Sequence, residues 1–212
     1  MVKKLGRWLP HALSDGNRQS RLDIYTQLLS RSRGFDRRDV IVTGDEEWVL
    51  YVNHTHKHAW CSGDEMPDPF VKGEIHEKKV MLNVRWGVHG IYRFELLPDN
   101  TTIVTAEVYC AQLQRLADKI RKELPKLDNV RLLHDNVHPH IAKKTSQKIL
   151  ELGWEILPHP PYSPDLAPND YHLFRSLQHH LEEKSYDDRD HLENDLPAPS
   201  RRSSSPKESV IL

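Results

Sequence analysis

Hydrophobic residues first fall into a regular rhythm at Leu22, Tyr25, Leu28 and Leu29, spaced i, i+3, i+6 and i+7, which predicts a helix with one apolar face ending near Gly34. Before it, residues 1–20 carry Lys3, Lys4, Arg7, Trp8, Pro10 and His11 without periodicity and read as an extended basic lead-in. Residues 40–42 and 48–52 then read as strand material on either side of Thr43-Gly44-Asp45-Glu46. Residues 53–78 are polar, with four His, two Pro and two Gly, and read as a long loop.

The pattern sharpens after that loop. Val80, Leu82, Val84 and Trp86 alternate with Asn83 and Arg85, residues 87–90 supply a turn, and Tyr92, Phe94 and Leu96 alternate with Arg93 and Glu95, so a hairpin is predicted. A helix starts near Thr105, carries Tyr109, Leu113, Leu116, Ile120 and Leu124 on one face, and stops at Pro125. Residues 130–133 form a short buried strand leading into His134-Asp135-Asn136. Pro139 opens a helix whose inner face is Ile141, Thr145, Ile149 and Leu152, closed by Gly153. Residues 154–157 are the next strand. After Pro158, Pro160, Pro161 and Pro164, Pro168 opens a last helix with Phe174, Leu177 and Leu181 inward. The order is three strands, helix, strand, helix, strand, helix, which is an α/β domain. From Pro197 on, Pro, Ser and Arg dominate without periodicity, and the tail is expected to be disordered.

Composition narrows the class of protein. Charged residues at 29% against 37% hydrophobic suit a soluble chain, and no stretch is apolar enough to span a membrane. The charged N-terminus has no apolar segment behind it, so no secretory signal is expected and the protein is expected to stay inside the cell. Two cysteines, Cys61 and Cys110, are too few for a disulfide framework. The net charge of −1 provides no global basic field, so any contact with nucleic acid must rest on local sites.

Three aspartates stand at the ends of predicted elements: Asp45 after the first strand segment, Asp135 after the strand at 130–133, and Asp170 in the first turn of the last helix. Hard cations such as Mg2+ take oxygen ligands in near-octahedral geometry, and rigid carboxylates at element ends suit them. Three close carboxylates without a cation would raise one another's pKa values. A pair of ions roughly 3.5–4 Å apart would relieve that repulsion and clamp an in-line displacement at phosphorus. By pattern alone each aspartate is equally readable as a turn or cap residue. His54, His56, His58 and Cys61 offer zinc-type ligands, but their alternating spacing is not that of a zinc finger. Lys143, Lys144 and Lys148 read either as phosphate contacts or as a solvated helix face.

Six segments together carry a resemblance: WLPHAL (8–13), TGDEEWVLY (43–51), KKVMLNVRW (78–86), FELLP (94–98), LLHDN (132–136) and GWEILPHPPYSPDLAPNDYHLFRSL (153–177). Asp135 and Asp170 are separated by 34 residues (170 − 135 − 1). In these segments and this spacing the chain resembles the mariner branch of the DNA transposases that use three acidic residues, over roughly residues 3–195. The run at 162–173 is the most specific piece.

The resemblance implies an RNase H-like fold, a mixed five-stranded sheet flanked by helices, with Asp45, Asp135 and Asp170 as the metal-binding catalytic triad and Mg2+ or Mn2+, two ions, as cofactor. It implies cleavage of DNA at transposon ends and joining of the freed 3′ hydroxyl to a TA target, by a homodimer on DNA in the nucleus. It further implies that Trp8, Pro10 and His11 form a dimerisation linker, that 53–78 is a loop clamping the partner, and that Trp48 packs on DNA, where the residue alone reads equally as an ordinary strand core tryptophan; Arg7, Lys143 and Lys144 are the further candidates for contact with DNA. On this reading 1–35 is linker and lead-in helix, 36–195 the catalytic domain and 196–212 an atypical tail.

The chain also departs from the family pattern. It begins where a helix-turn-helix region would already have passed, so specific recognition of terminal repeats is expected to be absent. Glu47 replaces a basic residue, and Arg85-Trp86-Gly87 stands where two tryptophans and an aspartate are common. The resemblance ends after Asp195, so the chain reads as a truncated transposase. A known fusion of a mariner transposase to a SET-domain methyltransferase keeps an alternative open, an inactive or domesticated remnant that binds DNA or dimerises. No SET region is present, and methyltransferase activity is not expected.

Overall fold

Alternating and helical periodicities after residue 78 settle into three layers, a sheet with helices on both faces. The computed structural model describes residues 2–4, 7–9, 12–34, 38–53, 77–99 and 103–196, with backbone alone for 2–4, 7–9, 33 and 34. Two short antiparallel strands, β1 (Val2–Lys4) and β2 (Arg7–Leu9), occupy the expected lead-in. Helix α1 (Asp15–Gly34) follows, and then the sheet strands β3 (Ile41–Leu50), β4 (Lys79–Gly87) and β5 (Gly90–Leu96). Next come α2 (Ala106–Glu123), β6 (Arg131–Leu133), α3 (His138–Ile141), α4 (Lys143–Glu151), β7 (Glu155–Leu157), α5 (Arg175–Leu181) and α6 (Arg189–Asp195).

The sheet order is β5-β4-β3-β6-β7. A two-residue turn suffices for the antiparallel β4–β5 hairpin, whereas β6 and β7 run parallel to β3 and need crossovers, which α2 and the α3–α4 pair supply. Thr105 caps α2 by accepting a hydrogen bond from the Val108 N–H. Gly153, at φ +72°, allows the chain to turn out of α4 into β7.

Strand alternation sends each side chain to one of two cores. Val42, Leu132, Tyr109, Leu113, Leu116 and Ile149 pack on the α2–α4 face. Val49, Val80, Leu82, Val84, Phe174, Leu177, Leu181 and Leu192 pack on the α5–α6 face. With helices on both sides, neither face of the central strands meets water.

Four expectations are corrected. The two strand segments around residue 45 are one continuous strand of 10 residues, because β4 pairs along its whole length from Val42 to Leu50. The apolar stripe of α1 is not a core face: Leu22 is 61% and Leu29 55% exposed. That helix is held instead by Arg21 to Asp165, both guanidinium nitrogens bonding the carboxylate, and by an ion pair of Arg31 with Glu155. The helix opened by Pro139 breaks at Ala142, whose ψ of 145° is extended, so Ile141 turns outward at 57% exposure while Thr145 and Ile149 stay buried. Finally α6 was not foreseen, its apolar residues Leu192 and Leu196 being too few to set a period. The loop at 54–76, including His54, His56, His58 and Cys61, and the tail at 197–212 lie outside the described residues. No described helix is long and apolar enough to cross a membrane.

Leu113 is wholly buried on α2 and Leu150 on α4 is 78% exposed. Leu113→Ala is expected to cost about 2–5 kcal/mol of unfolding free energy. Leu150→Ala should stay within about 0.5 kcal/mol, as surface changes usually do. Urea titrations of the two variants check the contrast.

Candidate functional site

Strand β3 carries three consecutive carboxylates, and the pleat separates them. Glu46 shares the face of Val42, under α2, while Asp45 and Glu47 share the face of Val49, toward α5. In parallel register Thr43 lies opposite Leu133, so two residues further on Asp45 comes level with Asp135, just past the end of β6. Asp170 is reached from the other side. It sits in a π-helical turn, Asn169–Phe174, that leads into α5, and such turns recur at functional sites.

These three aspartates line a single cavity of about 410 Å³, together with Asn136, Val137, His159, residues 160–164 and Ala167. Among the described residues they do not converge into a ready-made ligand set of three. Their electrostatics nonetheless fit a cation. Burial first, then the negative charges of Asp135 and Glu46, push the Asp45 carboxyl up to about 7. Burial and Asp135 likewise raise Asp170. The donor set is entirely carboxylate oxygen, the hard type that Mg2+ and Mn2+ prefer. Asp135 is the exception in the cluster: burial works against its charge, but hydrogen bonds from His140 and from the Val137 N–H hold its pKa below the usual value.

On the opposite face Glu46 is compensated. Its Oε1 accepts from Arg85 at 2.7 Å and from the Asn83 amide at 2.5 Å, and its Oε2 lies 3.2 Å from His140 Nε2. Against the burial penalty, the charge of Arg85 and the hydrogen bond from His140 bring Glu46 down to about 2. His140 faces carboxylates at both ring nitrogens, with Nδ1 2.6 Å from Asp135 Oδ1. Burial opposes its charge, yet these two bonds raise its pKa. Arg85 lies over the Tyr109 ring at 5.2 Å. Tyr109 also bonds His134, which burial drives down to about 3 and keeps neutral.

The segment of Asp170 is tied down through its neighbour. Buried Asn169 accepts from the Trp86 indole N–H at 2.7 Å and donates to the Thr43 hydroxyl at 3.2 Å, joining the π-turn to β4 and β3. Asn136 donates to the His159 carbonyl at 2.7 Å and so links the turn after β6 to the proline-rich wall. Tyr162, at φ +54°, stands on that wall and is largely exposed.

Other residues singled out in the sequence fall away from the cavity. Trp48 is partly exposed on β3 with the Lys79 ammonium 4.5 Å over its ring. Lys143 and Lys144 are exposed at the start of α4, and Lys144 pairs with Glu107 at 3.0 Å. The side chains of Arg7 and Trp8, and all of Pro10 and His11, lie outside the described residues. Missed in the sequence were Glu46, Arg85, His140 and Asn169. The available signal was topological: in a sheet covered on both faces, the polar alternation at Asn83 and Arg85 has no water to meet and requires buried partners.

A family model described as "Transposase (partial DDE domain)" matches residues 50–130. The human (Homo sapiens) histone-lysine N-methyltransferase SETMAR is 39% identical over 196 residues, covering 91% of this chain and 28% of that protein. The Mariner Mos1 transposase of Drosophila mauritiana is 36% identical over 190 residues, 88% of this chain and 55% of that protein. The chain thus spans only part of the length of these relatives. Among solved structures, the Mos1 mariner paired-end complex with Mn superposes with a TM-score of 0.82 at 36% identity, over 91% of this chain and 57% of that one. The Mos1 transposase catalytic domain gives 0.73 at 35% identity, over 88% of this chain and 82% of that one. The mixed five-stranded sheet with its flanking helices is therefore the RNase H-like architecture of that domain, as the resemblance implied.

The Arg85–Glu46 pair makes the site's foundation testable. Arg85→Met should cost about 3–5 kcal/mol, the scale for orphaning one member of a buried pair. Adding Glu46→Gln should recover part of that loss, because the stranded charge is then gone. Guanidinium unfolding of the single and double variants measures both.

Proposed function

The chain belongs to the mariner family of DNA transposases, and from that premise we propose that its core is a divalent-metal-dependent domain that cleaves DNA strands and joins them, with Asp45, Asp135 and Asp170 as the catalytic carboxylates. The observation that carries the reading is the shared cavity in which burial and neighbouring carboxylates hold the Asp45 carboxyl near 7. A site of that kind is balanced by a cation. When bound, Mg2+ or Mn2+, two ions on this reading, supply Lewis-acid stabilisation for in-line displacement at phosphorus.

The chain's own residues perform the rest. The three aspartates would hold the cations, and Asp45, whose carboxyl is pushed up to about 7, would give up its proton more readily as the positive charge arrives. Asn169 fixes the segment of Asp170 against β3 and β4, and the prolines at 160, 161 and 164 stiffen the wall across from it. The substrate is DNA, in keeping with the transposon-end complexes of Mos1. On this reading Trp48, Lys143, Lys144 and Arg7 contact the DNA. Trp8, Pro10 and His11 engage the 53–78 loop of a second copy, making a homodimer that works in the nucleus on transposon ends and TA targets. The catalytic unit is 36–195, preceded by a linker and lead-in helix at 1–35 and followed by the tail at 196–212. The inactive-remnant alternative draws no support from a cavity that keeps all three carboxylates.

Purified protein with Mn2+ or Mg2+ and a nicked or pre-cut DNA duplex is expected to release cleaved strands, and a chelator should stop the reaction. Asp135→Ala should reduce the rate about a hundredfold or more, the scale of deleting one preorganised charged group. Gel analysis of end-labelled strands decides the matter, and cleavage that persists in Asp135→Ala would sink the assignment.

A further inference from the structure

We propose that His140 is a positioning residue for Asp135, the near end of a buried tie that runs from Arg85 through Glu46 to the carboxylate on the cavity wall. The inference rests on reading that cavity as a divalent-metal site.

His140 is itself 1% exposed and does not line the cavity. It belongs to a helical turn of four residues in which Ile141 points to solvent and the chain breaks at Ala142, the turn being held also by the Thr145 hydroxyl, which donates to the Pro139 carbonyl at 2.6 Å. Its ring is clasped by Tyr109 at 4.1 Å and by His134 at 5.2 Å between centroids, so its orientation is fixed by packing. From that fixed ring Nδ1 reaches Asp135 Oδ1 at 2.6 Å and Nε2 reaches Glu46 Oε2 at 3.2 Å. Glu46 is in turn immobilised by Arg85 and Asn83.

The consequence is geometric. Glu46 is the chain neighbour of Asp45, and its N–H donates to Asp45 Oδ1 at 2.8 Å. One imidazole therefore spans the gap between β3 and the turn after β6, and adds a side-chain tie beyond the last backbone pair, Thr43 with Leu133, that restrains Asp135 relative to Asp45. Both hydrogen bonds that hold Asp135, from His140 and from the Val137 N–H, end on Oδ1. That arrangement restrains the carboxylate through one oxygen and leaves Oδ2 for a cation, the usual way an outer partner orients a ligating group. A histidine serving only to fill the core would have no need to join these two carboxylates.

The two contacts can be separated by side-chain length. In His140→Asn the amide nitrogen occupies the place of Nδ1 and keeps the bond to Asp135 while losing Glu46. In His140→Gln it occupies the place of Nε2 and keeps Glu46 while losing Asp135. Mn2+ affinity of the full chain, read by calorimetry, is expected to stay within about threefold of wild type for His140→Asn and to fall about 10–100-fold for His140→Gln and His140→Leu, the range seen when a ligand's outer partner is removed. Rates of strand cleavage at saturating DNA should follow the same order with the KM for DNA unchanged. Thermal unfolding confirms that each variant is folded; should His140→Leu not fold, the Asn and Gln pair still decides. Equal Mn2+ affinities for the Asn and Gln variants, with wild type binding normally, overturn the proposal alone. A wild-type chain that binds no Mn2+ overturns the metal-site reading, and this inference with it.

Discussion

The buried ion pair of Glu46 with Arg85 is the constraint on which the site depends. Three successive carboxylates in the middle of a sheet covered on both faces would ordinarily forbid a strand, because each buried charge carries a desolvation cost of several kcal/mol. The pleat halves the problem by sending Glu46 one way and Asp45 and Glu47 the other. Arg85 then balances the charge of Glu46, and Asn83 and His140 complete its hydrogen bonding, at 2.5–3.2 Å. With that charge settled, β3 pairs without interruption along β4 and delivers Asp45 to the opposite face at a fixed height.

The same constraint accounts for the close approach at Gly44. A Cβ there would lie 2.1 Å from Arg85 Cδ and 2.5 Å from the Val84 carbonyl oxygen, so only hydrogen fits while the guanidinium reaches across to Glu46. Gly87, one of the departures from the family pattern, has a comparable reason. A side chain at that position would run into the Ile41 carbonyl at 2.6 Å and the Tyr92 hydroxyl at 2.9 Å. Tyr92 fills the space that an aspartate would need. Glu47, the other departure, accepts from Gln178 at 3.3 Å, and its pKa is raised by burial, with Asp170 adding to the rise. It adds to the negative character of the α5 side of the sheet.

Much of this was legible in the residues because local signals agreed with one another. The β4–β5 hairpin, the Thr105 start of α2, the Gly153 exit from α4 and the place of Asp135 just after β6 each followed from period or punctuation. Where reading failed, a nonlocal partner had overridden the local signal. Thr43-Gly44-Asp45-Glu46 has the composition of a turn and is a strand because β4 and Arg85 make it one. The stripe on α1 has the period of a core helix, yet arginine pairs to Asp165 and Glu155 hold it while Leu22 and Leu29 face water. His140 and Asn169 carry no signature of their own, since a buried polar residue is defined by partners that only the fold supplies.

The division of charge between the faces of β3 also explains why the cavity stays acidic. The charge of Arg85 lowers the pKa of the Asp45 carboxyl, but less than burial, Asp135 and Glu46 raise it. Its guanidinium is engaged by Glu46 under α2, where it is fully enclosed. Had the arginine projected on the α5 side, it would have paired with Asp45 or Asp170 directly, and an internal salt bridge would have displaced any need for an external cation. By placing the compensating arginine behind the strand, the sheet stabilises its own core and leaves Asp45 and Asp170 in front with raised pKa values. The negative charge left in front is then available to a ligand instead of being spent on the fold.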